Sequence, residues 1–434
     1  MITDSNWEMW QEQGLFNNST IRLWLSTWNM GIKHQRHYGI AMLVRGISCM
    51  LMKNKIMIQT KTGQLDPRIP IIYFSDSGSG KGMGQNFYQA IFKNVGLQIS
   101  SLAKPTPEKL IGSYDDQLDK ENRKKGLTSR DEKYRDPVLH GFFETEDDII
   151  FDEAECFFDG KDYGNDVLRK SRMALDKYGS PNNYLKSETL KNRGGYSYPC
   201  KCNVIFLSYH VPKISTQIIS NGIFQRALCF FYRLGQEQMQ DILLNPTNDL
   251  QHIIDTNKQR IVAQLKEVET HIQNMTTNLT LSDSADAYIQ KIMLNELKEI
   301  YKQDDEIGQM IQSFLPRLKD TTIKMAGALA ILKKKSIIDK IDIEEAQTIT
   351  LGVSFPSLVR ELFVFGVMAD KQRQWYQDLK RNIGTKLKTK DEINSIMGAV
   401  WGVSRPTVIT RLKQMRSLFY VKKGKKNGKF YQLK

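Results

Sequence analysis

Ile71-Ile72-Tyr73-Phe74-Ser75-Asp76-Ser77-Gly78-Ser79-Gly80-Lys81-Gly82 decides how the rest of the chain is read. An apolar run enters a loop of small residues, and the loop ends in Gly-Lys. The pattern predicts a buried strand feeding a phosphate-binding loop. Glycines let backbone N–H groups turn inward around phosphate oxygens, and a lysine after them reaches the outer phosphates. The helix expected from about Met83 would aim its positive end at the same anion. Gly78, Ser79, Gly80, Lys81 and Gly82 are the candidate phosphate contacts. Two positions depart from the usual loop. Ser75 stands where a glycine opens it, and Gly82 stands where a Ser or Thr hydroxyl holds Mg²⁺.

About seventy residues on, Asp148-Ile149-Ile150-Phe151-Asp152-Glu153 reads as a second buried strand tipped by two carboxylates. In an ATP site the first, Asp152, would hold Mg²⁺ and the second, Glu153, would polarise the attacking water. ATP and Mg²⁺ are therefore the expected ligands. Asn203 to Tyr209 is a third apolar run with a polar end. It is expected to run beside the Asp-Glu strand, with Ser208 either near the γ-phosphate or simply at a strand end.

The charge of +14 is unevenly spread. From Lys371 to the end there are 17 Lys/Arg against 3 Asp/Glu, so the first 370 residues are neutral overall. A basic C-terminal module on a neutral body suggests a polyanionic partner, most often nucleic acid. The five cysteines show no framework or zinc spacing and fit a reducing, cytoplasmic setting. The start of the chain is not a signal peptide, and Tyr38 to Met52, which carries Arg45, is too short to span a bilayer. It is expected to be a buried helix.

Four regions follow. Residues 1–60 form a helical layer, 61–235 an α/β core, 236–370 a helical lid region and 385–434 a small DNA-binding fold, with 371–384 a polar connection. Within the core, 115–140 is an exposed insertion. Tyr184 to Pro199 is a hairpin with Lys191 and Arg193 at its tip, suited to gripping a phosphate backbone or to an ordinary solvated role. In the last region Thr389 caps one helix, Trp401 to Ser404 turns, and Ser404-Arg405-Pro406 starts a second helix presenting Arg405 and Arg411 outward. A hairpin around Lys422, Lys423, Lys425 and Lys426 completes a winged helix-turn-helix, with the lysines suited to phosphate.

In this order the parts resemble an AAA+ P-loop ATPase of the helicase clade. The pattern is similar to MCM-like replicative helicases and to replication helicase-initiators of phages and mobile islands. The resemblance spans roughly residues 65–434. Arg317-Leu318-Lys319-Asp320 through Ala330 looks like the lid helix that begins with the sensor-2 arginine, and Gln225-Arg226 like the arginine-finger position. It implies that Ser208 is sensor 1, where Asn is more usual, and that Arg226 reaches a neighbour's ATP. It also implies that Lys186, Lys191 and Arg193 meet single-stranded DNA in a channel. A trans-acting arginine requires head-to-tail packing that closes a ring, hence an expected homo-hexamer. The function so implied is an ATP-dependent replicative DNA helicase with a winged helix on duplex or origin DNA, possible partners being a primase or polymerase. The alternatives are an ATP-gated initiator or helicase loader, and a DNA-binding regulator with a vestigial ATPase.

Overall fold

The computed structural model describes residues 4–128, 133, 138–158, 162–186, 197–209, 222–233, 235, 238, 240–241, 250–301, 312–364, 370–383, 388–414, 419–423 and 429–433. They divide into two units, Met1–Leu358 and Val359–Lys434.

The first unit is built on a five-stranded, wholly parallel sheet. Its strands are β1 (Ile71–Ser75), β2 (Ile99–Ala103), β3 (Asp148–Asp152), β4 (Asn203–Ser208) and β5 (Leu228–Tyr232), in the order β5-β1-β4-β3-β2. Every residue of β1 and β4 is buried. Such unbroken apolar runs are what a parallel sheet covered on both faces requires. β4 lies between the loop-bearing strand and the Asp-Glu strand, with Ser208 opposite Phe74 and Phe206 opposite Phe151. It runs beside the Asp-Glu strand, as the sequence implied.

The first sixty residues supply one layer over this sheet. Helix α1 (Asp4–Glu12) brings Trp7 and Trp10 onto Phe16. Helix α2 (Ser19–Gly31) is capped by Asn18, whose side chain accepts from the N–H groups of Thr20 and Ile21. Helix α3 (Arg36–Lys53) is buried from Tyr38 to Met52, as its composition predicts. Helix α4 (Lys81–Asn94) follows the Gly-Lys loop. Trp24 and Trp28 pack against Phe87 of α4, and Trp24 also against Phe92. Gly46 on α3 is required here, since a Cβ would stand 2.0 Å from the Phe92 ring.

Arg45 fastens α3 to the sheet. It is fully buried and pairs with Asp148 at the start of β3. It also donates to the carbonyls of Ile69 (3.0 Å), before β1, and Val204 (2.5 Å) in β4. The Tyr88 hydroxyl of α4 donates to Asp148 at 2.6 Å. A buried charge pair persists only when its remaining donors and acceptors are satisfied, and here they are shared among two strands, the segment before β1 and two helices.

Beyond the sheet come α5 (Asp162–Ala174), α6 (Gln251–Gln273), α7 (Asp283–Tyr301), α8 (Leu315–Leu332) and α9 (Lys340–Ile349). α8 carries Ile323, Ala326, Ala330 and Ile331 inward, as their helical spacing predicts. The expected boundaries at 60 and 236 do not separate bodies. A second sheet joins Ile337–Ile338, Leu279–Leu281 and the hairpin Ile58–Thr60/Gly63–Leu65. Glu345 of α9 accepts the Phe16 N–H at 2.9 Å, and Asn18 donates to the Leu332 carbonyl at 3.1 Å. N-terminal layer, sheet and "lid" helices form one unit. Within the 115–140 insertion, Asp115 caps a helix over Asp116–Lys124.

The second unit contains α10 (Asp370–Ile383), β6 (Lys388–Thr389), α11 (Lys390–Trp401), α12 (Arg405–Gln414), β7 (Phe419–Lys423) and β8 (Lys429–Leu433). The three strands form an antiparallel sheet in the order β6-β8-β7. Thr389 and Glu392 make a capping box at α11, and Gly402 closes that helix in the left-handed region. Residues 371–383 of the expected connection are helical. They are α10, whose Leu379 and Ile383 enter the core with Ile393, Met397 and Val408. The fold therefore starts before residue 385.

Candidate active site

The Gly-Lys loop is formed at the carboxyl edge of the sheet, where α/β folds bind ligands. Gly78 (φ +78°) and Gly80 (φ +84°) take left-handed turns, and Gly80 caps α4, so the helix N-terminus faces the loop. Gln35, fully buried, holds the loop from below. Its amide donates to the Ser79 carbonyl, and its carbonyl accepts the Tyr73 hydroxyl.

Three buried polar atoms of this loop have no hydrogen-bond partner: Ser75 Oγ, Ser79 Oγ and Lys81 Nζ. The Lys81 ammonium stands 3.8 Å from the centre of the Tyr209 ring. Burial pushes its pKa down, against the opposing pull of Asp152, Glu155 and Glu153. Unsatisfied buried polar groups are costly and call for an explanation. An anion on the loop would satisfy the lysine, so the residues fit a phosphate group. Gly82 is exposed, and nothing lies within 4 Å of where its Cβ would be. Its missing hydroxyl is thus not a consequence of crowding.

Asp152 ends β3 half-buried, and its Oδ1 accepts the Glu153 N–H at 3.0 Å. Glu153 is exposed and takes φ +52°, rare for a residue with a side chain. β4 supports this turn, because Ala154 N–H donates to the Leu207 carbonyl at 2.9 Å. Ser208 is buried at the end of β4, and its hydroxyl donates to the Tyr209 carbonyl at 2.8 Å. Magnesium bound with a nucleotide needs only one or two carboxylates besides phosphate and water oxygens, and Asp152 suits that role. Among the described residues no group of three or more His, Cys, Asp or Glu could hold a metal ion.

Lys81, Asp152, Glu153 and Ser208 thus gather at one edge. Arg226 and Arg317 do not join them. Arg226 ends the short helix Ile223–Arg226, immediately before β5 begins, at the amino edge of the sheet. Arg317, on the first turn of α8, lines the same cavity of about 100 Å³, with Asp66, Arg68, Lys177 and Lys324. At about 3.3 Å per residue, a five-residue strand separates the two edges by about 17 Å. Arg317 is therefore not brought to the Gly-Lys loop of its own chain. It sits at the opposite edge, half-exposed and 3.9 Å from Asp320. Arg226 is engaged within the chain. Its Nη2 lies 2.7 Å from Asp176 Oδ1, and its Nη1 donates to the Gly222 carbonyl at 2.9 Å.

The amino edge is rich in closed ion pairs. Arg68 is buried against Asp66 and also donates to the carbonyls of Ala174, Asp176, Cys200 and Cys202. Burial disfavours the Asp66 carboxylate, but Arg68 and Lys324 outweigh it and hold its pKa well below the usual range.

The base of the expected hairpin is present. Tyr184–Lys186 pairs antiparallel with Ser197–Pro199, and Lys186 is exposed. Lys191 and Arg193 lie outside the described residues, as do Lys425 and Lys426. Lys422 and Lys423 lie on β7, with Lys423 opposite Lys429. Arg405 is exposed and paired with Asp391. Arg411 is not presented freely outward. Its guanidinium lies 4.5 Å from the Trp375 ring centre and 5.3 Å from that of Trp401.

Gln35, Tyr209 and Glu155 were missed by sequence reasoning. Glu155 brings a buried, unpartnered Oε2 near Lys81. It follows the Asp-Glu pair and was legible as a third carboxylate; nothing in the sequence marks Gln35. No protein-family model matches the chain, and no curated protein does. Among the described residues no helix is long and apolar enough to cross a membrane.

Proposed function

We propose that this chain is an ATP-hydrolysing DNA motor of the AAA+ helicase type, active as a head-to-tail ring. The observation that carries the reading is the division of charged groups between two edges of one sheet. An unpartnered lysine and the Asp-Glu pair stand at the carboxyl edge, and two arginines stand at the amino edge. A single chain cannot close them on one nucleotide across about 17 Å of strand. Copies packed head to tail can, and repeated heterologous contacts of this kind close into a ring when the rotation between copies closes, the assembly proposed here.

In that assembly the loop N–H groups and Lys81 bind the phosphates, and Ser79 and Ser75 supply further hydroxyls. Asp152 holds the metal, and MgATP supplies the phosphoanhydride bond whose cleavage drives the motor. Glu153 takes the proton of the attacking water, and Ser208 sits between loop and carboxylates to orient it. Arg226 and Arg317 from the neighbour stabilise charge on the transferred group, the kind of contribution that makes a trans-acting arginine worth orders of magnitude in rate. The hairpin rooted at Tyr184–Lys186 grips single-stranded DNA. The second unit, two helices joined at Gly402 and followed by a lysine-bearing hairpin, acts as a winged helix on duplex DNA.

A second reading, an initiator or loader that uses ATP to assemble on DNA, draws support from Gly82, which leaves the metal one hydroxyl short. Turnover with and without single-stranded DNA, for wild type and Glu153→Gln, tests the motor reading, together with unwinding of a forked duplex. DNA-stimulated hydrolysis abolished by the substitution, with unwinding, is expected. ATP binding without turnover in any DNA would overturn it in favour of the loader.

A further inference from the structure

We infer that Asp176 is a positioning residue for Arg226, and that it makes the root of the DNA hairpin part of the arginine's seat. The inference rests on the assignment of Arg226 to a neighbouring nucleotide.

Arg226 is held at two points. Asp176 Oδ1 takes Nη2 at 2.7 Å, and the Gly222 carbonyl takes Nη1 at 2.9 Å. Both side chains of the pair are largely buried, at 17% and 15% exposure, so solvent and salt screen the contact less than they would a surface ion pair. Gly222 is fitted to this seat. It takes φ +77°, and a Cβ there would stand 2.8 Å from Arg226 Nη1. A guanidinium carries its N–H donors in a fixed fork, so two can be anchored while others stay available to a phosphate. The seat therefore aims the arginine instead of consuming it.

Asp176 belongs to the segment that leads to the hairpin. It follows α5 directly, and the strand Tyr184–Lys186 begins soon after. Both feet of the hairpin are knitted to the same buried arginine. Arg68 donates to Ala174 and Asp176 on one foot and to Cys200 and Cys202 on the other. Asn183 bridges Ala174 and Cys200, at 2.9 and 3.0 Å. The Tyr178 N–H donates to Asp66 at 3.2 Å. A displacement of the hairpin by bound DNA thus moves the carboxylate that holds Arg226.

The test is a double-mutant cycle read as turnover with and without single-stranded DNA. Asp176→Asn keeps the backbone carbonyl that Arg68 uses and removes only the charge. It is expected to lower DNA-stimulated kcat about tenfold, with KM for ATP little changed. Asp176→Glu should recover most of the loss. Asp176→Asn/Arg226→Ala should be no slower than Arg226→Ala alone, because the carboxylate acts only through the arginine. Thermal melting of each variant separates a folding loss from a positioning loss. If Arg226→Ala is as fast as wild type, the trans-arginine assignment fails and this inference with it. If Arg226→Ala is crippled while Asp176→Asn is unaffected, or the two losses multiply, only the positioning role is overturned.

Discussion

The two edges of the central sheet are built on opposite principles. At the amino edge the most deeply buried charges are closed into pairs: Arg45 with Asp148 and Arg68 with Asp66. At the carboxyl edge Lys81 and two serine hydroxyls are buried without partners, and Glu153 is held in a left-handed conformation. The first edge stores stability and the second forgoes it. Unsatisfied groups and backbone strain persist where a ligand is to be received. The contrast can be broken by substitution, because changes at the amino edge should cost folding and changes at the carboxyl edge should not.

The largest effect is expected at Arg45. Arg45→Met leaves Asp148 buried with only the Tyr88 hydroxyl and should destabilise by about 3–5 kcal/mol. Urea unfolding measures it. A loss below about 1 kcal/mol would mean that the pair does not fasten α3 to the sheet.

The two edges also separate along the pH axis. His37 packs beside Phe230 and Tyr232 near the carboxyl edge, and burial pushes its pKa from 6.5 down to about 4. The unfolded chain therefore binds a proton that the folded one refuses. Stability is complete above about pH 6.5 and falls as pH drops toward 4, by at most about 3 kcal/mol. His37→Phe should flatten that window. Asp66 acts lower. Its depressed pKa stabilises the fold above pH ~4, and that part is lost only on further acidification. Melting temperature against pH for wild type and His37→Phe checks the order. A window unchanged by the substitution would remove His37 from the account.

The smallest effect on stability is expected at Gly82, which sharpens the carboxyl-edge claim. Space is free at its Cβ, and it lies within the first turn of α4. Gly82→Ser should fold at least as well as wild type, gaining up to about 0.5 kcal/mol from helix propensity. It should also lower the magnesium concentration needed for turnover. A loss of stability would contradict the open geometry.

Much of the carboxyl edge was legible because its signals are local. Apolar runs, paired glycines and a lysine mark the loop, and an apolar strand ending in Asp-Glu marks the tip. Thr389 and Glu392 likewise announced the cap of α11 at a spacing of three residues. The amino edge was not legible, because it is assembled from distant segments. Arg45 finds Asp148 and Arg68 finds Cys200 only when the sheet forms, and no spacing encodes that. Arg317 was legible only in part for the same reason: its helix start was visible, but the edge to which α8 brings it was not. α10 was hidden by its charges, although Trp375, Leu379 and Ile383 recur at intervals of four. Arg411, read as outward, is turned onto Trp375 and Trp401 by a helix whose presence was not foreseen.

The most direct measurement mixes two inactive proteins, Lys81→Ala and Arg226→Ala, and follows ATP hydrolysis in the presence of single-stranded DNA. If one chain's loop is completed by its neighbour's arginine, the mixed ring contains some interfaces with both groups intact. Random mixing makes that about a quarter of them. Activity should reappear on mixing and be absent from either protein alone. No recovery, with both variants shown to co-assemble, would contradict the head-to-tail account and confine each chain's arginines to a structural role.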